Sequence, residues 1–212
     1  MSNPPAGSRL ARGILPALCT AFTDDGEQVD ADRQRTLVRA LIDAGSQGFF
    51  VCGGTGEGKA MSVPERMNVA EVVADEVAGR VPIILQVGAC PTEDAVELAR
   101  HAAHIQGIDA VASVAPVDRP NDLDAAVAHY RAIGEATELP FYVYWLQGEA
   151  DRKATADSFL DAMGAVPHFA GIKFTDNNLY LFGQLIDRSG GRINAISGPD
   201  EMALPAMVMG AE

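Results

Sequence analysis

Residues 81–89 read VPIILQVGA, and residues 92–104 just after them read TEDAVELARHAAH. The first stretch is nearly continuous in apolar residues and does not alternate. A strand covered on both faces reads this way, as in a parallel sheet with helical crossovers. The second stretch has a helical Ala/Val/Leu pattern, and Thr92 ahead of Glu93 and Asp94 is a start signal. Together they make one β/α unit.

The unit recurs outward in both directions. GILPALCTAF (13–22) precedes a helix predicted over 33–44, and GFFVCGG (48–54) precedes one around 64–77. Ser62, Pro64 and Glu65 form a capping box with Pro near the first turn of that second helix. DAVASVAP (109–116), PFYVYWL (140–146), AGIKFTD (170–176) and RINAISG (192–198) precede helices around 122–137, 154–163, 179–188 and 201–209. No linker or composition break interrupts the series, so residues 1–212 are expected to be a single domain. Seven such units fit either a doubly wound open sheet or a β/α barrel. A closed barrel needs eight strands and typically about 250 residues. Taken as a barrel, the chain stops at MVMGAE, where an eighth strand would begin, so a C-terminally incomplete barrel, a fragment of a longer chain, is expected.

Composition narrows the function classes. Sixteen Lys and Arg stand against 29 Asp and Glu, a net charge of −13 over 212 residues. Phosphate contacts need clustered cations, so nucleic acid and anionic membrane are not expected partners. No apolar run reaches the roughly 18–20 residues of a membrane helix. The start, MSNPPAGSRLARG, has no signal-peptide core. Cys19, Cys52 and Cys90 lie in apolar runs without metal-ligand spacing, which predicts buried, reduced thiols in a cytoplasmic protein. His101 and His104 share a helix face with no third ligand, so they are read as a solvated face and no metal is expected.

In both architectures chemistry sits at the carboxyl ends of the strands. Lys173 lies inside the apolar run Gly171-Ile172-Lys173-Phe174. Burial lowers a lysine pKa, and a neutral amine attacks carbonyls to form a Schiff base. A structural lysine paired to a carboxylate, or one snorkelling from an edge strand, fits the position equally well. Tyr144 stands in the preceding strand, where its phenol could serve imine chemistry or simply fill the core. GGTGEG (53–58) joins a strand to a helix and offers backbone N–H groups and the Thr55 hydroxyl to a carboxylate or phosphate. Gly53, Gly58 and Lys59 mimic the start of a P-loop, but Ala60 replaces the Ser or Thr that would hold Mg²⁺. Asp200 and Glu201 follow the last run, as a hydroxyl-binding pair or as a helix start.

As a set these positions resemble the pyruvate-dependent class I aldolase family of N-acetylneuraminate lyase and dihydrodipicolinate synthase. The likeness runs from about residue 13 to the last. It is carried by GILPALCTAFTDDGEQVD, GGTGEG, VGACPTEDAVELARHA, the Tyr144 strand, GIKFT and GPDE. It implies a (β/α)8 TIM barrel, a Schiff base between Lys173 and pyruvate, and proton transfer by Tyr144. It implies that Gly54 and Thr55 hold the pyruvate carboxylate, that no cofactor is required, and that the protein is a homo-oligomer, a tetramer. The lyase branch is the closer one: Thr175 follows the lysine by two residues, and Gly198, Asp200 and Glu201 supply its Gly-x-Asp-Glu element. Synthases carry an Arg shortly after the tyrosine, where this chain has Glu149. The chain departs from the family at Gly54, where a hydroxyl is usual, at Val117 and Asp118, where an aromatic pair is usual, and at Gln147, where Pro is usual. The implied activity is cleavage of a sialic acid or related 2-keto-3-deoxy acid. A synthase-like condensation of pyruvate and a non-catalytic small-molecule binder are the alternatives.

Overall fold

The computed structural model describes residues 10–146 and 154–212. Glu149, which bears on the branch, and Gln147, where the family usually has Pro, lie outside the described residues. Six parallel strands form one sheet in simple sequence order: β1 Phe49–Val51, β2 Ile83–Gln86, β3 Ala110–Ser113, β4 Phe141–Leu146, β5 Phe169–Thr175 and β6 Asn194–Ser197. A doubly wound sheet reverses its strand order at a switch point. The unbroken order here removes that alternative. Seven α-helices alternate with the strands among the described residues: α1 Ala31–Asp43, α2 Val63–Val77, α3 Thr92–His104, α4 Leu123–Gly134, α5 Ala156–Met163, α6 Leu179–Ser189 and α7 Ala203–Val208.

The sheet is curled. The Lys173 amine on β5 lies 3.8 Å from the Phe50 ring centroid on β1. Those strands are four places apart in the sheet. Flat spacing would hold them roughly 19 Å apart. Curling also gives the strands two unlike faces. Phe49, Val51, Ile83, Leu85, Val111, Phe141, Val143, Ile172 and Phe174 point outward and pack with the helices. Phe50, Ile84, Ala110, Ala112, Tyr142, Tyr144 and Ile196 point inward as a separate cluster, with Ala11 beneath them. Asn194 closes this lower end. Its carbonyl oxygen accepts from the Ala11 N–H at 2.9 Å and the Tyr142 hydroxyl at 2.8 Å, and its NH₂ donates to the Ala11 carbonyl at 2.9 Å.

The aromatic residues behind β4 and β5 hold the strands that matter most for the site. Trp145 stacks on Phe174 at 5.7 Å and meets Phe159 edge-on at 5.3 Å, and Phe174 stacks on Phe182 at 4.7 Å. Such pairs add about 0.5–1.5 kcal/mol each beyond the area they bury.

Several sequence expectations change. The strand predicted over 13–22 contracts to a parallel bridge between Ala17 and Phe50. Pro16 accepts from the Phe50 N–H at 3.0 Å but has no N–H to extend the ladder. Thr92 is not a cap, because Pro91 holds that position and the Thr92 hydroxyl meets His129 Nδ1 at 2.8 Å. Cys52 is buried as expected, but Cys19 and Cys90 are exposed. An apolar neighbourhood in sequence did not set which way those two thiols face. The helix read from Glu201 begins at Ala203 and is preceded by a 3₁₀ turn over Asp200–Met202. Among the described residues no helix is long and apolar enough to cross a membrane.

Candidate active site

Strand register assembles the centre. Tyr144 on β4 pairs with Lys173 on β5, and Lys173 pairs with Ile196 on β6. Neighbouring partners share a face, so the tyrosine and the lysine stand side by side on the inner wall. Lys173 is only 8% exposed. Its Nζ lies over two rings, 3.8 Å from the Phe50 centroid and 4.4 Å from the Tyr144 centroid. Burial pulls the amine down to about 8, opposed by the charge of Asp200. The structure therefore places Lys173 inward and dehydrated. It does not snorkel from an edge, and burial shifts it toward the neutral amine.

The glycine-rich turn after β1 leans over this pair. A Cβ at Gly54 would come within 4.0 Å of the Tyr144 hydroxyl and meet nothing closer. Gly54 and Thr55 are exposed at the mouth. The other glycines are there for packing. A Cβ on Gly56 would stand 2.5 Å from the Leu18 carbonyl, and one on Gly58 would overlap the Cys52 carbonyl at 1.9 Å. Thr20 fixes the turn from below by donating its hydroxyl to the Gly56 carbonyl at 2.6 Å. The P-loop resemblance ends here. Helix α2 starts at Val63 under a Ser62 cap, so Lys59 and Ala60 lie in the turn rather than at a helix N-terminus.

Thr175 ends β5 one inward position above Lys173. Its hydroxyl oxygen is buried without a hydrogen-bond partner among the described residues. Gly198 is fitted against it, since a Cβ there would fall 1.9 Å from Thr175 Oγ1. An unsatisfied hydroxyl in such a place is an available donor or acceptor for a bound molecule. Asp200 and Glu201 are both exposed on the 3₁₀ turn. Of the two, Asp200 is the one whose charge acts on Lys173.

Two features escaped sequence reasoning. Phe50 is one; nothing in the local pattern tells which of Phe49 and Phe50 turns inward. The other is the polar support outside the sheet. Ser113 donates to the Val114 carbonyl at 2.8 Å, so its hydroxyl accepts from His129 Nε2–H at 2.9 Å, and Nδ1 then accepts from Thr92. His129 is thereby neutral, its pKa pushed down to about 4 chiefly by burial. Arg66 likewise spends its guanidinium on the carbonyls of Gln86 and Gly88 beneath the turn. Burial, then the charge of nearby Asp118, raises the Cys90 thiol; Asp118 is at one of the two positions where the family resemblance places aromatics. Among the described residues no group of three or more His, Cys, Asp or Glu could hold a metal ion.

Residues 10–212 match the Dihydrodipicolinate synthetase family. The chain is 37% identical over 202 residues to the N-acetylneuraminate lyase of Citrobacter koseri, covering 95% of this chain and 67% of that protein. It is 31% identical over 198 residues to the 4-hydroxy-tetrahydrodipicolinate synthase of Methanopyrus kandleri, covering 93% and 66%. The crystal structure of N-acetylneuraminate lyase from Mycoplasma synoviae superposes with a TM-score of 0.88 at 26% identity, over 96% of this chain and 68% of that one. The chain thus spans about two thirds of the length of the relatives it matches.

Proposed function

The chain belongs to the dihydrodipicolinate synthetase family, and from that premise we propose that it is a Schiff-base lyase releasing pyruvate from a sialic acid or related 2-keto-3-deoxy acid. The observation that carries this reading is the inward amine of Lys173, dehydrated and beside Tyr144. In the proposed sequence Nζ attacks the C2 ketone and water leaves, giving a protonated imine. The C4 hydroxyl passes its proton by way of the substrate carboxylate to Tyr144. The C3–C4 bond then breaks, the aldehyde departs, and the imine accepts the electron pair as an enamine. Protonation at C3 and return of water release pyruvate and the free amine. The imine is the electron sink, so the sequence needs no cofactor.

The remaining residues have roles in the same reading. Gly54 and Thr55 hold the carboxylate at the mouth. Thr175, Gly198, Asp200 and Glu201 receive the hydroxylated part of the substrate; the unpartnered Thr175 hydroxyl supports this assignment. Residues 1–212 act as a single β/α-barrel domain of a homo-oligomer. Borohydride reduction with pyruvate, followed by mass spectrometry, tests the chemistry: the adduct is expected on Lys173, and an unmodified Lys173 would overturn the lyase. Comparing kcat/KM for N-acetylneuraminate cleavage with that for aspartate semialdehyde condensation tests the branch, with cleavage expected to be faster.

A second reading has its own observation. Gly54 cannot supply the relay hydroxyl usual at that position, and Asp118 stands where the family resemblance places an aromatic. These favour a homologue that binds small 2-keto acids without turning them over. Pyruvate binding without borohydride trapping is its signature.

A further inference from the structure

We propose that Phe50 is a positioning residue for Lys173: its ring face, reaching across the curled sheet, fixes the resting place of the amine and favours its ammonium form until a carbonyl enters. The inference rests on the reading of Lys173 as the imine-forming lysine.

The geometry is that of a two-ring corner. Nζ sits 3.8 Å from one centroid and 4.4 Å from the other. The two rings meet edge to face at 5.1 Å and 73°. Phe50 is itself held. It is 2% exposed, and a Cβ on Gly53 would press to 3.0 Å from its Cε1, so the turn after β1 closes on the ring. The ring therefore has little freedom to follow a moving amine, and the amine conforms to the ring.

Two effects oppose each other at Nζ. Burial among Ile84, Ala112 and Ile196 disfavours the charge. An aromatic face favours it, by about 0.5–2 kcal/mol depending on how dry the contact is. The ionisable groups facing the amine are the Tyr144 phenol from β4 and the Asp200 carboxylate from the turn after β6. Tyr142, the next inward residue on β4, bonds to Asn194, and burial keeps its phenol protonated. From β1 the ring of Phe50 lies on the amine. Replacing Phe50 with Leu retains an apolar wall but removes the ring's negative face. Deprotonation of the amine then becomes easier, while its position becomes less defined.

The test is trace acetylation of Lys173 in the 212-residue protein, from about pH 6 to about pH 11, read on the Lys173 peptide by mass spectrometry. Wild type and Phe50→Tyr are expected to share one titration midpoint. Phe50→Leu should titrate lower by roughly 0.5–1 pH unit. Phe50→Met serves as the second apolar variant if Leu disturbs folding, with the same downward shift expected. Above both midpoints, imine formation with pyruvate should be several-fold slower in the Leu or Met variant, because the neutral amine has lost its fixed place. An unchanged midpoint overturns the proposal. So does a raised one, which would mean that the ring only excluded water. Acetylation needs no pyruvate, so it judges Phe50 even if borohydride trapping shows that Lys173 forms no imine.

Discussion

Phe49 and Phe50 are adjacent, identical in chemistry and both fully buried, yet they serve different regions. Phe49 turns outward into the layer between sheet and helices, with Val51, Ile83 and Leu85. Phe50 turns inward and meets Lys173 and Tyr144. The outer layer is continuous aliphatic and aromatic packing. Among its buried polar groups, the His129 ring bonds to Ser113 and Thr92, and the terminal nitrogens of Arg66 bond to backbone carbonyls. The inner layer contains a lysine on ring faces and, at its mouth, a threonine hydroxyl with no partner among the described residues. The outer face of the strands packs against the helices, and the inner face carries the buried amine and the residues proposed to act with it.

The sharpest way to break that comparison is Lys173→Met. Turnover is expected to fall by about 10³-fold or more, because the proposed nucleophile is gone. Folding should nevertheless improve near neutral pH, because a costly buried amine becomes an apolar side chain. The pH dependence follows in sign. The folded amine titrates near 8, below its ordinary value of 10.5, so the unfolded chain binds more protons between these values. Wild-type stability should therefore rise as pH climbs from 8 to 10.5. Urea melts should show that the Met variant lacks this rise, and an equal rise in both proteins would contradict it.

Phe49→Ala is the outward counterpart. Removing this buried ring is expected to cost about 3–5 kcal/mol, measured by urea unfolding. The Lys173 titration midpoint should not move. A shifted midpoint would mean that the two layers are not independent.

Gly54→Ser sharpens the comparison within the inner region. The new Cβ would stand 4.0 Å from the Tyr144 hydroxyl with nothing closer, and Gly54 is not among the glycines with left-handed φ. The added hydroxyl is expected to raise kcat by up to about 10-fold, part of the range for a proton-transfer group, without changing pyruvate affinity. A fall in both parameters would mean that the space itself is used by substrate.

The smallest expected effect concerns the thiols. Maleimide labelling of the native protein should modify Cys19 and Cys90 and spare Cys52, whose thiol burial pushes up to about 11. Desolvation, then Asp118, also raises the Cys90 thiol, so Cys90 should react several-fold more slowly than an ordinary exposed cysteine. Rapid native labelling of Cys52 would show that the outer layer opens.

These cysteines mark a limit of legibility. Each lies in an apolar run, and reading all three as buried failed for Cys19 and Cys90 because a run does not say which face a residue takes. The capping box at Ser62 and Glu65 was readable because its partners are three residues apart. Thr92 was not, because its hydroxyl answers to His129, 37 residues away.

The alternation of strands and helices from Phe49 onward, the limits of α3 and the place of Lys173 in a buried strand next to the one carrying Tyr144 are legible in the residues alone. Those features depend on side-chain periodicity and on groups close in the chain. The curl of the sheet, the reach of Phe50 across it to Lys173 and the action of Asp200 on the amine arise from contacts between distant segments. The curl is the accumulated twist and stagger of all the strands, so no local window contains it.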